Sequence, residues 1–273
     1  LSEEQLDAMV EKTKALEAYQ EAGEDPKALE CIPMLKRSDI KKEAAKIVNE
    51  ELTVDNSLFL YHDVCTNGIG YVDLMFKTDS IAPEQIPYLG LLKSVLGYVD
   101  TEHYTYGELF NEINANTGGI NCGVEVFDRA DSTEEFQAMF SVRGKALYTK
   151  MDFLFKMIGE ILNSSKLEDT KRLYEIVASV KSRAQVNLTG AGHSTAVLRA
   201  AAYSSPMAAF QDEMAGIGYY QFIEKLEKDF EQRKEETVEE LCKLMKKILR
   251  PENFMISYTG ERESLETVQK LAG

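Results

Sequence analysis

The sequence predicts an α+β protein in which an antiparallel sheet is covered by helices on one face, with a helical hairpin ahead of it. Two observations carry the sheet. Val72, Leu74 and Phe76 alternate with Tyr71, Asp73 and Lys77, the period of two that a half-buried strand requires. The same alternation returns in Cys122, Val124 and Val126, and again in Phe136, Ala138, Phe140 and Val142. The third observation is the helical spacing of apolar residues through most of the remaining chain. The order is strand pair, helices, strand pair, long helices, strand, which fits a sheet layer under a helix layer.

Residues 1–50 are expected to form a helical linker. Leu6, Met9, Val10, Thr13 and Leu16 recur at helical spacing behind Ser2 and Gln5, a capping-box pair. Gly23, Asp25 and Pro26 break that helix, and Ser38-Asp39 starts another through Ile40, Ala44 and Ile47. Residues 51–273 are expected to form the α+β domain. A strand over 57–61, a turn at Thr66-Asn67-Gly68 and a strand over 70–77 open it. Helices follow at about 83–96 and 105–116, the second closed by Thr117-Gly118-Gly119. After the second strand pair, which turns at Asp131-Ser132-Thr133, helices are expected over 147–162, 167–188, 194–203 and 219–249. Phe222, Leu226 and Phe230, then Leu241, Leu244 and Ile248, form the buried stripe of the last one, and Glu231 to Glu236 has no apolar residue to bury. Pro251 closes it, Phe254, Ile256 and Tyr258 form a final strand, and a helical tail follows Gly260.

Composition bounds the partners. Apolar residues make up 44% and charged residues 28%, an ordinary globular balance over 273 residues. The net charge of −15 repels phosphate, so neither nucleic acid nor an anionic membrane is an expected partner. No apolar run approaches the roughly 18 residues of a membrane span, and no signal-peptide pattern opens the chain. Leu1 stands where a methionine would begin a complete protein, which points to a piece of a longer one. Cys31, Cys65, Cys122 and Cys242 are scattered without CxxC spacing, which fits a reducing cytoplasm and not a zinc finger or thioredoxin-type site.

The chemistry-bearing residues have ordinary readings. His103 lies beside Asp100, Glu102 and Glu108, half of a conceivable metal site, in what reads as a capped helix entry. His62 lies near Asp63 and Cys65 at a strand end. His193 follows Gly190 and Gly192, but GxGHS is no nucleophile elbow, and Ser194 is expected to cap a helix. Thr117-Gly118-Gly119-Ile120 lacks the lysine of a phosphate-binding loop and reads as a turn.

Several ordered segments carry a resemblance that spans essentially the whole chain. They are DPKALECIPMLKRSDIKKEA, LYHDVCTNGIGYVDLMFKTDSI, IPYLGLLKSVLGYVDTEHYTYGELFNEINANTGGI, KALYTKMDFLFKMIGEIL, DTKRLYEIVASVKSR, GHSTAVLRA and GIGYYQFI. Together they resemble the associated region of the presequence proteases, zinc peptidases of the pitrilysin and insulinase group. The resemblance implies four similar α+β domains of the LuxS/MPP-like kind, two per half, with a helical hairpin joining halves that close around unfolded peptides. It makes residues 1–50 the joining linker and 51–273 the third, non-catalytic domain. The group's inverted motif, HxxEH, sets two histidines on one helical face to bind zinc and a glutamate beside them as general base. This chain has neither HxxEH nor HExxH. By similarity the motif would fall at Tyr88-Leu89-Gly90-Leu91-Leu92, with Gly97 matching a following glycine, so Tyr88, Leu91 and Leu92 replace its ligands and base. The substrate-gripping arginine and tyrosine of the group belong to a fourth domain and match nothing here.

The resemblance therefore implies a parent that is a zinc endopeptidase and a fragment with no catalytic, metal or cofactor residues, inactive alone, serving as chamber wall. Its implied partners are the other domains of the parent and unfolded peptides, in a bacterial cytoplasm. Two alternatives stand beside it: a scaffold protein that kept the fold without a metal site, and an independent enzyme built on His62 or His103.

Overall fold

The computed structural model describes residues 2–23, 26–43, 46 and 49–273. The chain divides into two compact units, 1–47 and 48–273. In the first, α1 (Glu3–Glu21) starts on the expected capping box: the Ser2 hydroxyl accepts from the Gln5 N–H, and the Gln5 side chain accepts from the Ser2 N–H. No residue of α1 is buried. A four-residue turn of helix, α2 (Pro26–Leu29), follows. The second helix expected from Ser38 is a single 3-10 turn, Arg37–Asp39, and Ile40 through Glu43 are not helical. Ala44 and Ile47 of that expected helix, and Asp25 of the expected break before it, lie outside the described residues.

The second unit holds one six-stranded sheet in the order β1-β2-β6-β3-β5-β4. The strands are β1 (Glu50–Val54), β2 (Ser57–Asp63), β3 (Ile69–Lys77), β4 (Ile120–Arg129), β5 (Ser132–Leu147) and β6 (Phe254–Gly260). The α+β class is the expected one, with a single correction: the sheet is mixed and not purely antiparallel, because β2 and β6 run parallel. β6 returns after all the long helices and inserts between β2 and β3, parallel to the first and antiparallel to the second. The expected neighbours β2 and β3 are therefore separated by a strand about 180 residues away in the chain. β1, for which no strand was expected, pairs with β2 across a two-residue turn. Asp55 and Asn56 take φ of 45° and 68° there, the left-handed pair that a tight hairpin needs.

One face of the sheet carries the core. Phe59 and Tyr61, Val72, Leu74 and Phe76, Phe140 and Val142, and Ile256 and Tyr258 point into it and are buried. The inward positions continue along β5 as Gly144 and Ala146, so the strand runs to Leu147 where a helix was expected. A Cβ at Gly144 would lie 2.6 Å from Leu154, so the missing side chain lets α5 (Met151–Ser164) pack close.

The other helices are α3 (Ile86–Val95), α4 (Tyr106–Asn116), α6 (Thr170–Gly190), α7 (Gly192–Ala201), α8 (Pro206–Ala215), α9 (Ile217–Lys228), α10 (Phe230–Ile248) and α11 (Arg262–Ala272). α3 is the central one, packed against α6, α8, α9 and α10. The single long helix expected over 219–249 is two, broken where Asp229 leaves helical geometry. Its predicted stripe is otherwise in place, with Leu226, Phe230, Leu241, Leu244 and Ile248 buried. α8 is absent from the sequence expectations, although Ser205-Pro206 is a start signal: the Ser205 hydroxyl accepts from the Ala208 N–H, and Pro206 opens the helix. No described helix is long and apolar enough to cross a membrane.

Candidate functional site

α3 is where the resemblance would set a zinc motif, and its side chains serve packing. Tyr88, Leu91 and Leu92 are all buried. The Tyr88 hydroxyl accepts from Arg233 Nη2 at 2.9 Å and donates to Glu236 Oε1 at 3.4 Å, which ties α3 to α10. Burial raises the Tyr88 phenol above its ordinary range, with Arg233 working in the opposite direction.

The three histidines are held apart by the fold. His103 Nδ1 lies 3.0 Å from Glu160 Oε2, and the His103 N–H donates to Glu160 Oε1. Two of the three carboxylates near it in sequence are engaged as caps, Asp100 accepting from the Tyr106 N–H and Glu108 completing a capping box with Thr105, while Glu102 is exposed. His62, at the end of β2, places Nε2 3.2 Å from Ser257 Oγ on β6. Asp63 faces Arg262, and Cys65 is exposed. His193 is exposed on α7. Ser194 is not the N-cap; α6 continues to Gly190, Ala191 takes the cap position without a side-chain bond, and Ser194 lies inside the first turn of α7. Thr117-Gly118-Gly119 is the turn from α4 into β4. Gly118 N–H donates to the Lys145 carbonyl, and Gly119 takes φ of 105°. Among the described residues no three His, Cys, Asp or Glu side chains come together to hold a metal ion.

A group of polar side chains meets on part of the outward face of the sheet. The parity that buries Val72 and Leu74 turns Tyr71 and Asp73 outward, and the register brings Ser257 and Thr259 of β6 and Arg143 and Lys145 of β5 beside them. These residues, with Asn121, line a shallow concavity of about 400 Å³. Arg143 spans three strands: Nε binds Asp73 at 2.7 Å on β3, and Nη1 binds Glu125 at 3.0 Å on β4. The register sets Ser141 and Gly123 between Arg143 and Glu125, so the guanidinium stem crosses a position where β4 has no side chain. Within this group Asp73 Oδ1 and Ser141 Oγ are buried without a hydrogen-bond partner. Burial pushes the Asp73 carboxyl above the ordinary carboxylate range, partly offset by Arg143. The sequence flags Tyr71 and Asp73 only as the polar half of an alternation; their meeting with Arg143 and Glu125 depends on a pairing that sequence spacing does not encode.

Comparison with known proteins gives the context. The family model described as peptidase M-16C associated matches residues 1–226. Protein HypA of Clostridium perfringens is 34% identical over 268 residues, which cover 98% of this chain and 27% of that protein. Presequence protease 1, chloroplastic/mitochondrial, of Arabidopsis thaliana is 27% identical over 270 residues, covering 99% of this chain and 25% of its own length. This chain thus spans about a quarter of the length of these curated relatives. Among solved structures, that of a conserved protein from Enterococcus faecalis V583 superposes with a TM-score of 0.58 at 12% identity, over 82% of this chain and 51% of that one, a likeness of fold. The family match over most of the chain and the relative across nearly all of it lead to one conclusion: this chain belongs to the peptidase M-16C associated family.

Proposed function

We propose that the parent of this chain is a zinc metalloendopeptidase that degrades unfolded peptides in a closed chamber, and that this chain is a metal-free part of the chamber wall. The observation that carries the second half is the burial of Tyr88, Leu91 and Leu92: the helix where a zinc motif would fall is spent on the core. Relatives named as presequence proteases support the first half. The ion-paired part of the outward sheet face, where Arg143 bridges Asp73 and Glu125, fits a wetted inner wall. The parent's remaining domains and its peptide substrates would be the partners, in a reducing cytoplasm; nucleic acid and membrane would not be. The scattered free cysteines fit that compartment.

The test is peptide cleavage by the 273-residue chain alone. A fluorogenic unstructured peptide incubated with the chain and zinc should remain intact. Cleavage that disappears in His62→Ala or His103→Ala would replace this reading with an independent enzyme.

A further inference from the structure

A second and larger concavity, about 760 Å³, lies at the β4 border of the sheet, walled by α3, α4 and α6. Seven consecutive residues, Gly119 to Glu125, line it. Successive strand residues point to opposite faces, so a cleft that touches all seven is bordered by the edge of the strand and not by one of its faces. β4 ends the sheet, and its only strand partner among the described residues is β5. Among those residues, no other backbone bond is made by Asn121 through Arg129, so the outer row of N–H and C=O groups of β4 is open.

The charge in this cleft is opposite to that of the protein. Arg172 is paired with Glu175, and Glu125 with Arg143. Lys93 and Arg183 also line the cleft, and neither side chain makes a hydrogen bond or ion pair among the described residues. Two cations without a carboxylate partner among the described residues thus line one cleft of a chain whose net charge is −15. Burial without a carboxylate partner lowers the pKa of Lys93, so an arriving anion would relieve a desolvated ammonium. Tyr98 and Phe110, both more than half exposed, flank the same cleft and offer apolar surface to side chains.

We propose that this cleft binds an extended peptide that adds as a further strand to the free edge of β4 and sets a carboxylate between Lys93 and Arg183. The exposed edge is about 20 Å long at ~3.3 Å per residue, enough for about six residues of ligand. Strand addition supplies sequence-tolerant backbone bonds, and the two cations supply the preference for acidic peptides. A second copy of this chain is a poor occupant, since edge-to-edge pairing would bring together four unpaired cations on two bodies that repel overall. The proposal rests on the reading that the parent handles unfolded peptides, and adds to it a binding site and a charge preference.

The experiment is fluorescence anisotropy of the 273-residue chain with labelled eight-residue peptides of Val, Thr and Ala. Three versions are compared: one with an internal glutamate and a free C-terminus, one amidated at the C-terminus, and one with glutamine for glutamate. The first should bind, and whichever change weakens it about tenfold identifies the carboxylate as C-terminal or side-chain. Lys93→Met with Arg183→Gln should weaken binding at least tenfold while the urea midpoint stays put. N-methylation of alternate peptide nitrogens, which leaves the protein untouched, should abolish binding, and bound peptide should slow hydrogen exchange in β4. Absence of binding, or binding indifferent to the double substitution or to N-methylation, overturns the assignment. That failure is separate from failure of the wall reading, which is read from cleavage and zinc uptake and not from affinity.

Discussion

A methyl group at Gly90 would lie 2.7 Å from the Tyr219 ring and 2.9 Å from the Met214 carbonyl oxygen. The ring could swing, but the carbonyl belongs to backbone and cannot. Alanine would gain about 1 kcal/mol of helix propensity. Overpacking at a backbone contact costs about 1–3 kcal/mol, so the clash should win. Gly90→Ala is expected to lower the urea midpoint; an unchanged midpoint would show that α3 has slack against α8 and α9. Asp212 is the other exacting position. It is buried, and its carboxylate accepts from the Ile217 and Gly218 N–H groups and from Arg199 Nη1. One side chain near the end of α8 thereby satisfies the first turn of α9 and neutralises a cation. Arg199 is partly exposed, which screens the pair, so Asp212→Ala is expected to cost about 2–3 kcal/mol by chemical denaturation. Gly216 and Gly218 have no side chains beside it, and a Cβ at Gly216 would collide with its carboxylate.

Among the elements, β6 has the largest effect relative to its length. It occupies an interior place in the sheet with seven residues, and Tyr258 within it is fully buried and bonded to Ser264. Deleting residues 251–273 should leave a chain without cooperative thermal unfolding, although the family match ends at 226. A sharp transition in that truncated chain would mean that β2 and β3 can close over the gap. The same strand shows where sequence legibility stops. Alternation makes β6 visible as a strand, and Val72, Leu74 and Phe76 mark the inward face of β3. Nothing local states that a strand near the C-terminus splits two strands near the start, because pairing is decided by long-range packing. Asp229 is hidden for a different reason: the apolar stripe keeps its spacing across the break, so periodicity reads two helices as one. At the candidate sites, the capping roles of Asp100 and Glu108 are legible from neighbours in sequence. The Asp73–Arg143–Glu125 bridge and the cleft beside β4 are not, since their members meet only in the folded sheet.

At the scale of the whole molecule, membership in a peptidase-associated family coexists, among the described residues, with a fold that gathers no three His, Cys, Asp or Glu side chains for a metal ion. The central helix, α3, is buried along most of its length, the histidines are dispersed, and Arg143 ties three strands together on the outward face of the sheet. A net charge of −15 over 273 residues makes the chain self-repelling and leaves Lys93 and Arg183 as a local exception. The central proposal is that this chain supplies wall, and not metal, to a parent peptidase. It is tested most directly by loading the purified chain with zinc, dialysing against metal-free buffer and measuring bound zinc per chain. The expected stoichiometry is near zero. A stoichiometry near one, retained through dialysis, would contradict the claim and place a metal site in the domain itself.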